Sequence, residues 1–310
     1  MFRYVIKRIL LLIPVMIGVS FIVFTILNIV PGDPARVILG EAATADEVAQ
    51  LNHELGYDQP FVTRYVSFLK GVVTKFDFGT SYRTRDSVLD DILTRIPISF
   101  KLASFSILLA ICIGIPLGIY SAVKQYSLFD NIARFIGIFM ASVPPFWLGM
   151  MLIYLFALVL HILPSSGVAG FKNYILPSLA LAIPYASAIM RFTRSSMLET
   201  IRQEYIKTAE AKGIPESRVI LNHALRNAAL PIITIIGTSF GGLLGGAVVT
   251  ESVFSLPGLG TLLVTGIRMK DIPVVMGATV FYAFMFGCIM LIVDLLYAFA
   301  DPRIKAKYSK

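Results

Sequence analysis

Six long apolar segments, separated by polar stretches, form the pattern of hydrophobic and polar positions along this 310-residue chain. A hydrocarbon core about 30 Å thick needs roughly 20 helical residues, and each segment meets or approaches that length. The segments run from Ile9 to Val30, Leu102 to Val123, Phe135 to Leu160, Ile175 to Met190, Ala228 to Thr250 and Val274 to Ala300. The pattern predicts an all-α integral membrane protein with six transmembrane helices.

Three of these segments have features that affect the interpretation. Basic residues precede the first segment as they would in a signal peptide, but its apolar run is too long and it lacks a small-x-small cleavage site. Pro144 and Pro145 predict a kink in the third segment. The fourth segment is short and contains Pro177 and Pro184, and it is assigned as a span because the charge pattern requires one.

The polar stretches divide the chain into regions. Residues 1–30 hold the N-terminus and first span, and residues 31–99 are expected to form a small extracytoplasmic loop domain with a short helix from Thr44 to Leu55. A simple spacer is the alternative for this loop. Residues 100–300 form a five-helix core that includes a cytoplasmic loop at 191–227, and residues 301–310 form a cytoplasmic tail.

Composition and charge agree with a membrane location. The chain is 56% hydrophobic, with a mean hydropathy of +0.78 and 15% charged residues. If both termini are cytoplasmic, the inner segments carry sixteen Lys and Arg and the short outer loops carry three. The net charge of +8 is therefore assigned to topology and to attraction of anionic membrane lipid, with no nucleic acid as a partner.

Residues capable of catalysis or metal binding are scattered. The motifs H-E-x-x-H and G-x-S-x-G are absent, and the three histidines lie in separate loops. Cys112 and Cys288 lie in apolar runs and are interpreted as packing residues. We expect no enzymatic activity and no directly bound metal or cofactor.

A single acid, Asp294, lies within an assigned span. It favours helix packing or a headgroup contact over proton coupling, and both interpretations stay open. An ion-coupled secondary carrier would have the same number of spans, but such carriers usually place charged residues near the membrane midplane. The secondary carrier is therefore the weaker alternative.

The inner loop contains the charged, helix-forming stretch EYIKTAEAKG, residues 204–213. Leu198, Ile201, Tyr205 and Ala209 are spaced as one apolar stripe of a helix. Gly213 is predicted to cap this helix, and Pro215 to begin a second short helix, PESRVILNHALRNA. The small surface residues of the first helix predict that it fits a groove on another protein.

At this point the chain resembles a known family. The segments that carry the likeness are EYIKTAEAKG, HALRNAALP, PGDP, RFTRSSMLE, ESVFSLPGLG and DLLYAFADPRI. They resemble the permease subunits of ATP-binding-cassette (ABC) importers, particularly the dipeptide/oligopeptide branch. Many importer permeases have Glu-Ala-Ala where this chain has Lys207, Thr208 and Ala209, and the peptide branch resembles this chain at that point.

The resemblance implies a type I ABC importer permease fold in a bacterial or archaeal cytoplasmic (inner) membrane. It implies that the chain forms the path for small peptides and that ATP and Mg bind to two separate ATP-binding-cassette ATPase subunits, in agreement with the absence of G-x-x-x-x-G-K-[ST] here. The other implied partners are an extracytoplasmic substrate-binding protein and a second permease subunit. We expect the second permease to be a different chain, and a homodimer stays open.

The resemblance and the local pattern together identify candidate site residues. Those expected to couple to the ATP-binding subunit are Tyr205, Thr208, Ala209, Glu210, Ala211, Lys212 and Gly213. Candidates for the translocation path are Trp147, Pro184, Gly241, Gly242 and Gly245, with helix packing as the alternative. Dipeptides, longer peptides, glutathione-like peptides, chelated nickel and other small solutes stay open as cargo.

Overall fold

The computed structural model of the chain describes residues 2–29, 33–40 and 42–300, with side chains from residue 5 onward except at 246 and 297–300. Within these ranges the regular structure is helical, with one isolated β-bridge between Thr80 and Ser87. The predicted tail at 301–310, including its DPR segment, and the first two residues of PGDP lie outside the described residues.

The helices alternate between long apolar spans and short connecting elements. The first are α1 (Phe2–Ile29), α2 (Pro34–Leu39), α3 (Ala45–Glu54), α4 (Phe61–Lys75), α5 (Val88–Val123), α6 (Leu128–Ser142) and α7 (Pro145–Leu152). They are followed by α8 (Lys172–Ile201), α9 (Glu204–Ala211), α10 (Glu216–Arg218), α11 (Leu225–Gly246), α12 (Val248–Val253), α13 (Leu259–Arg268) and α14 (Ile272–Ala300). Two π-helical segments, Ile153–Val159 and Val219–Ala224, extend α7 and join α10 to α11.

The membrane spans agree with the predicted architecture. Five stretches are long and apolar enough to cross a bilayer, and the pair formed by α6 and the extended α7 makes six if it is counted as one span. The five are Val5–Ile29, Val88–Val123, Lys172–Ile201, Glu216–Gly245 and Ile272–Leu296. The prediction of an all-α, multi-pass membrane protein is confirmed.

The third span is broken as its prolines predicted. The bend between Leu128–Ser142 and Pro145–Val159 is 98°. Val143 and Pro144 are extended, with ψ of 124° and 133°, because a residue before proline is driven out of the helical region. Helix α7 then begins at Pro145, where the missing N–H costs no hydrogen bond.

The fourth span differs from its prediction. Helix α8 has 30 residues and extends beyond both ends of the expected segment, with Pro177 and Pro184 inside it. Of the five unbroken spans it is the most buried, at 56% of its apolar window. Contacts with α6, α7, α11 and α12 surround it, so tertiary packing holds a helix that the sequence makes weak.

The described residues form two compact units. The larger unit comprises Phe100–Leu256 with the described parts of 2–6 and 288–300, and the smaller unit comprises Lys7–Ser99 and Pro257–Gly287. In the smaller unit the apolar core joins Phe24 of α1, Tyr65 of α4 and Met276 of α14. The expected loop domain thus shares its core with parts of the first and last spans.

The short helix predicted in the outer loop is present as α3. Thr44 is its N-cap and forms a capping box, in which the Thr44 hydroxyl accepts from the Glu47 N–H and the Glu47 carboxylate accepts from the Thr44 N–H at 2.8 Å. The bond from the Thr44 N–H, together with one that the Thr44 hydroxyl donates to the same carboxylate at 2.8 Å, holds the pKa of the exposed Glu47 carboxyl below its ordinary value. Leu55 ends the helix as its C-cap.

In the larger unit, α5 approaches α8 closely through two glycines. A Cβ added at Gly114 would lie 2.7 Å from the Ala186 carbonyl oxygen, and one added at Gly118 would lie 2.7 Å from the Met190 carbonyl oxygen. Their spacing of four residues places both on one face of α5, as in the small-xxx-small contacts of membrane helices. The two glycines thus let the backbone of α5 pack against the backbone of α8 and against its Ile189 and Thr193 side chains.

We expect Gly118→Ala to lower the thermal unfolding midpoint, because the added Cβ overpacks this contact and overpacking costs about 1–3 kcal/mol. Gly18→Ala is the matched control, since a Cβ there meets no heavy atom within 4 Å. Alanine in a helix interior is favoured over glycine by roughly 0.5–1 kcal/mol. Circular dichroism of the purified protein in detergent measures both midpoints. A G118A midpoint at or above wild type would contradict the close approach of α5 and α8.

Candidate functional site

The stretch EYIKTAEAKG forms a separate short helix, α9, between two long spans. Helix α8 ends at Ile201, and the extended residue Gln203 begins α9. Lys212 is the C-cap, and Gly213 follows it with φ of +74°. A left-handed backbone favours glycine, so the predicted glycine cap is confirmed.

The second short helix was predicted wrongly. Pro215 is an N-cap, with φ of −54° and ψ of 137°, and not the first helical residue. The stretch that begins at Glu216 continues through the π-helical segment into α11, so Glu216–Gly245 is one apolar stretch of 30 residues. The run from 216 to 230 contains no proline or glycine to end a helix, so the chain stays helical through the π-helical segment Val219–Ala224.

The apolar stripe predicted across the loop is also interrupted. The break at Arg202 and Gln203 changes the helical phase, so Tyr205 is 45% exposed. Ile206 and Ala209 point inward instead, at 1% and 7% exposure. They belong to a hydrophobic cluster that contains Met197 of α8 and, from the following helical stretch, Val219 and Ala228, among other residues.

The outer face of α9 therefore consists of the other predicted coupling residues. Tyr205, Thr208, Glu210, Ala211, Lys212 and Gly213 are exposed. Thr208 Oγ1 donates to the Glu204 carbonyl oxygen at 2.9 Å, and Lys207 pairs with the Glu204 carboxylate at 2.9 Å. Desolvation raises the pKa of the Tyr205 phenol, which stays neutral. We call this set of six exposed residues the α9 outer face.

The predicted path residues lie in different surroundings within the larger unit. Trp147 of α7 is 47% exposed, and Pro184 of α8 is half-buried. Gly241 is buried, whereas Gly245 is exposed, with no heavy atom within 4 Å of an added Cβ. A Cβ at Gly242 would lie 3.1 Å from the hydroxyl of Tyr185, the residue after Pro184, so α8 and α11 meet there.

The structure also contains a buried ion pair that sequence reasoning missed. Asp130 of α6 is fully buried and accepts two hydrogen bonds from Arg194 of α8, each 2.7 Å long. Its carboxylate also accepts from the Ser121 hydroxyl at 2.5 Å and from the Tyr126 N–H at 3.0 Å. One bidentate, fully hydrogen-bonded carboxylate thus ties together α5, α6, α8 and the loop between the first two.

The position of Asp130 in the first turn of α6 could have been predicted from the sequence. Ser127 caps α6 by accepting from the Asp130 N–H at 3.2 Å, and Ser-x-x-Asp before an apolar run is typical of a helix N-terminus. Helix α6 begins seven residues before the predicted span and so contains this acid. The partner Arg194 lies 64 residues away, and no local pattern identifies it.

Two further acids in the larger unit are placed by the structure. Glu251 of α12 is fully buried, just beyond the predicted fifth span. Asp294 of α14 is half-buried. Among the described residues, no group of three or more His, Cys, Asp or Glu could hold a metal ion.

Comparisons with known proteins cover nearly the whole chain. Residues 114–306 match the family described as binding-protein-dependent transport system inner membrane component. Residues 1–103 match the N-terminal family of binding-protein-dependent transport system membrane components.

Two curated relatives align along their full lengths. The dipeptide transport system permease protein DppB of Alkalihalophilus pseudofirmus is 39% identical over 333 residues, which cover 98% of this chain and 100% of the relative. The glutathione transport system permease protein GsiC of Escherichia coli strain K12 is 40% identical over 307 residues, which cover 99% of this chain and 100% of the relative.

A solved structure shares the fold. It is described as the crystal structure of an amino acid ABC transporter with histidines, and it matches with a TM-score of 0.51 at 15% identity. The match covers 67% of this chain and 93% of that chain.

We expect Asp130→Ala to destabilise the protein, because it leaves the Arg194 guanidinium, whose side chain is 15% exposed, without its partner. Breaking a fully buried pair costs about 3–5 kcal/mol, which is the upper bound for this partly exposed arginine. The double variant Asp130→Ala/Arg194→Met should recover much of the loss, since it removes the unpaired charge. Glu204→Ala, which breaks an exposed ion pair, is the control and should change little. Thermal unfolding midpoints compare the three variants. Equal midpoints for D130A and E204A would contradict a structural role for the buried pair.

Proposed function

Because the chain belongs to the family of binding-protein-dependent transport system inner membrane components, we propose that it is the membrane-spanning permease subunit of an ATP-driven importer of small peptides. The observation that carries this proposal is the end-to-end match, at 39% and 40% identity, to permeases named for dipeptide and glutathione transport. Both named cargoes are small peptides. The helical, multi-pass fold is that of a type I importer permease.

The ATP-binding sites belong to partner subunits in this proposal. The chain has no G-x-x-x-x-G-K-[ST] sequence, which in P-loop ATPases cradles the phosphates and supplies a hydroxyl for Mg. Two ATP-binding-cassette subunits would bind and hydrolyse ATP with Mg, and this chain would provide the path without catalysing a reaction. A second permease, expected to be a different chain, and an extracytoplasmic binding protein complete the assembly.

The α9 outer face is the surface proposed for the ATPase. It combines the aromatic ring of Tyr205 with the short side chains of Thr208 and Ala211, which permit close approach by another protein. Its charged members are Glu210 and Lys212. Such a surface offers one aromatic anchor and a polar rim, a combination common at protein interfaces.

The inner face of α9 explains how a displacement of α9 by the ATPase would be transmitted to the transmembrane helices. Ile206 and Ala209 are packed in one cluster with Met197 near the end of α8 and with Ala228 at the start of α11. A close-packed cluster of this kind transmits displacement because it has no free volume to absorb it. Closure of the ATPases on ATP would therefore move α8 and α11 together, as an alternating-access switch requires.

The buried ion pair extends this coupling to a third span. Since Asp130 is held by Arg194, α6 follows α8, and the bend after α6 leads into α7, which carries Trp147. The candidate path residues Pro184, Gly241, Gly242 and Gly245 lie on α8 and α11, the helices whose residues share a hydrophobic cluster with α9. The proposed path is thus built from helices that the coupling helix can move.

The proposed location is a bacterial or archaeal cytoplasmic membrane, with both termini and α9 in the cytoplasm. The support is the excess of Lys and Arg in the segments assigned to the inside. The loop helices α2 to α4 would then face the binding protein on the outside.

A membrane-impermeant thiol reagent tests this topology. A cysteine at Thr84 should react from outside, and one at Ser217 only from inside, since both positions are exposed. The background needs alanine at Cys112, which is exposed and therefore does not pack within the chain, and at the half-buried Cys288. Reaction of both new cysteines from one side would contradict the proposed orientation.

Uptake by reconstituted vesicles tests function and coupling together. Vesicles holding the permease pair and ATPases, supplied with binding protein, should take up a labelled dipeptide only with ATP. Ala211→Glu should reduce ATPase co-purification and uptake by roughly tenfold, equivalent to about 1.4 kcal/mol of binding, because it places a charge on the α9 outer face. Its thermal midpoint should stay near wild type, since Ala211 is exposed.

Two control variants show whether an effect of A211E comes from the α9 outer face or from loss of stability. Ala209→Glu should lower the thermal midpoint, because it buries a carboxylate in the apolar cluster. Val73→Glu, at an exposed position of α4, should retain the ATPase. If A211E keeps the ATPase and full uptake, α9 is not the coupling surface. If the wild type takes up a nickel chelate but no peptide, the cargo proposal is wrong.

A further inference from the structure

The smaller unit contains a cavity of about 450 Å³ that the proposed transport cycle does not use. Its wall is formed by the turn between α3 and α4, the first turns of α4, residues 77–82 and the start of α14. The volume lies in the range of about 300–1,000 Å³ found for small-ligand sites. Phe24, Phe78 and Met276 give the wall an apolar portion, and Arg64 and Tyr82 give it a polar one.

Arg64 of α4 is the cation in this wall. Its guanidinium carbon lies 4.9 Å from the centre of the Tyr57 ring and 5.9 Å from the centre of the Phe24 ring. Its Nε atom is buried without a hydrogen-bond partner, and Arg64 forms no ion pair with any part of the chain that the structure describes. The aromatic rings thus hold a charged fork whose Nε donor has no acceptor among the residues that the structure describes.

Two tyrosines beside Arg64 supply another donor. The Tyr57 and Tyr82 hydroxyls lie 2.6 Å apart and hydrogen-bond to each other. Desolvation raises the pKa of both phenols, so both keep their hydrogens at neutral pH. A phenol pair has two O–H hydrogens, and the bond between the oxygens uses one of them. The other is available to an acceptor in the cavity.

The acids of the wall already have partners. Asp77 Oδ1 accepts from the Gly79 N–H at 2.8 Å, and Glu54 Oε1 accepts from Gln50 Nε2 at 3.2 Å. The neighbouring carboxylate Asp58 is paired with His53 at 2.7 Å. Asp271, beside the two phenols, accepts from the Ser81 hydroxyl at 2.6 Å. Arg64 and the tyrosine pair are the donors that these acids leave for a ligand, and a group that only accepts hydrogen bonds, such as a carboxylate, complements them.

We propose that this cavity binds the carboxylate of a small peptide, with Arg64 forming a bidentate ion pair and the Tyr57–Tyr82 pair donating one further hydrogen bond. The apolar wall around Phe24 and Met276 receives the rest of the ligand. This inference rests on the proposed function for its ligand class. It assigns the smaller unit a direct contact with cargo, distinct from the docking of a binding protein.

The test measures equilibrium binding of labelled glycylphenylalanine to the assembled permease–ATPase complex in lipid nanodiscs, without binding protein. Arg64→Gln should weaken binding by roughly tenfold to a hundredfold, the range for losing hydrogen bonds to a charged group. Glycylphenylalanine amide, which lacks the carboxylate, should bind the wild type about as weakly as the acid binds R64Q. Arg36→Gln, an exposed cation of α2 outside the cavity wall, is the charge-matched control and should bind normally.

Arg64→Lys keeps the charge and removes the planar fork, so its affinity should fall between those of wild type and R64Q. If R64Q fails to fold, R64K and the acid–amide comparison on the wild type still decide the question. Equal binding of acid and amide by the wild type, or no binding at all, would overturn the proposal. So would an R64Q variant that binds the dipeptide normally and loses affinity for the binding protein only.

The peptide-uptake assay distinguishes a failure of the cavity proposal from a failure of the proposed peptide-importer function. Vesicles with the wild-type complex that take up the dipeptide support the importer, whatever Arg64 does. Normal uptake together with unchanged dipeptide binding by R64Q would refute the cavity and leave the importer in place. Absence of uptake by the wild type would refute the peptide importer itself.

Discussion

Hydrocarbon offers no water to the peptide backbone, so each N–H and C=O within the bilayer must find its partner inside the protein. This constraint accounts for the helical fold across the described spans. Proline geometry, and not this constraint, accounts for the bend within the third span. The bend at Pro144 and Pro145 interrupts the third span by 98°, and π-helical segments extend α7 and join α10 to α11. Buried polar side chains follow the same rule, and Asp130 has four hydrogen-bond donors around its carboxylate.

Helix α8 is the element on which the larger unit depends. Gly118 lets α5 approach it at backbone distance, Arg194 ties it to α6, and its last turn shares a cluster with α9. A different interaction stabilises each contact. Close packing at a glycine joins α8 to α5, charge-assisted hydrogen bonds join it to α6, and burial of apolar surface joins it to α9. Together they make α8 the route by which a displacement of α9 would reach the other spans of that unit.

The smaller unit shows how a loop can be structured by the spans it connects. Its core uses Phe24 from the first span and Met276 from the last, and Tyr65 of α4 packs between residues of this set. The Tyr65 hydroxyl also bonds to Ser20 at 2.9 Å and to the Ile17 carbonyl at 3.0 Å. An ordered loop of this kind can hold a partly buried arginine in place, which a flexible spacer could not.

The sequence by itself determined the class of the protein, the number of apolar spans, the break at Pro144–Pro145, the α3 helix and the glycine after α9. Each depends on local chemistry: an apolar run of sufficient length, proline geometry, a capping box or a left-handed backbone. Only the tertiary structure decided the length of α8, the inward direction of Ala209, the Asp130–Arg194 pair and the surroundings of Arg64. These depend on contacts between residues far apart in the chain, and neither helical periodicity nor composition contains information about such contacts. The break at Arg202 shows the limit most clearly, because a change of helical phase over two residues separates Tyr205, which is exposed, from Ala209, which is buried, although the spacing predicted both on one stripe.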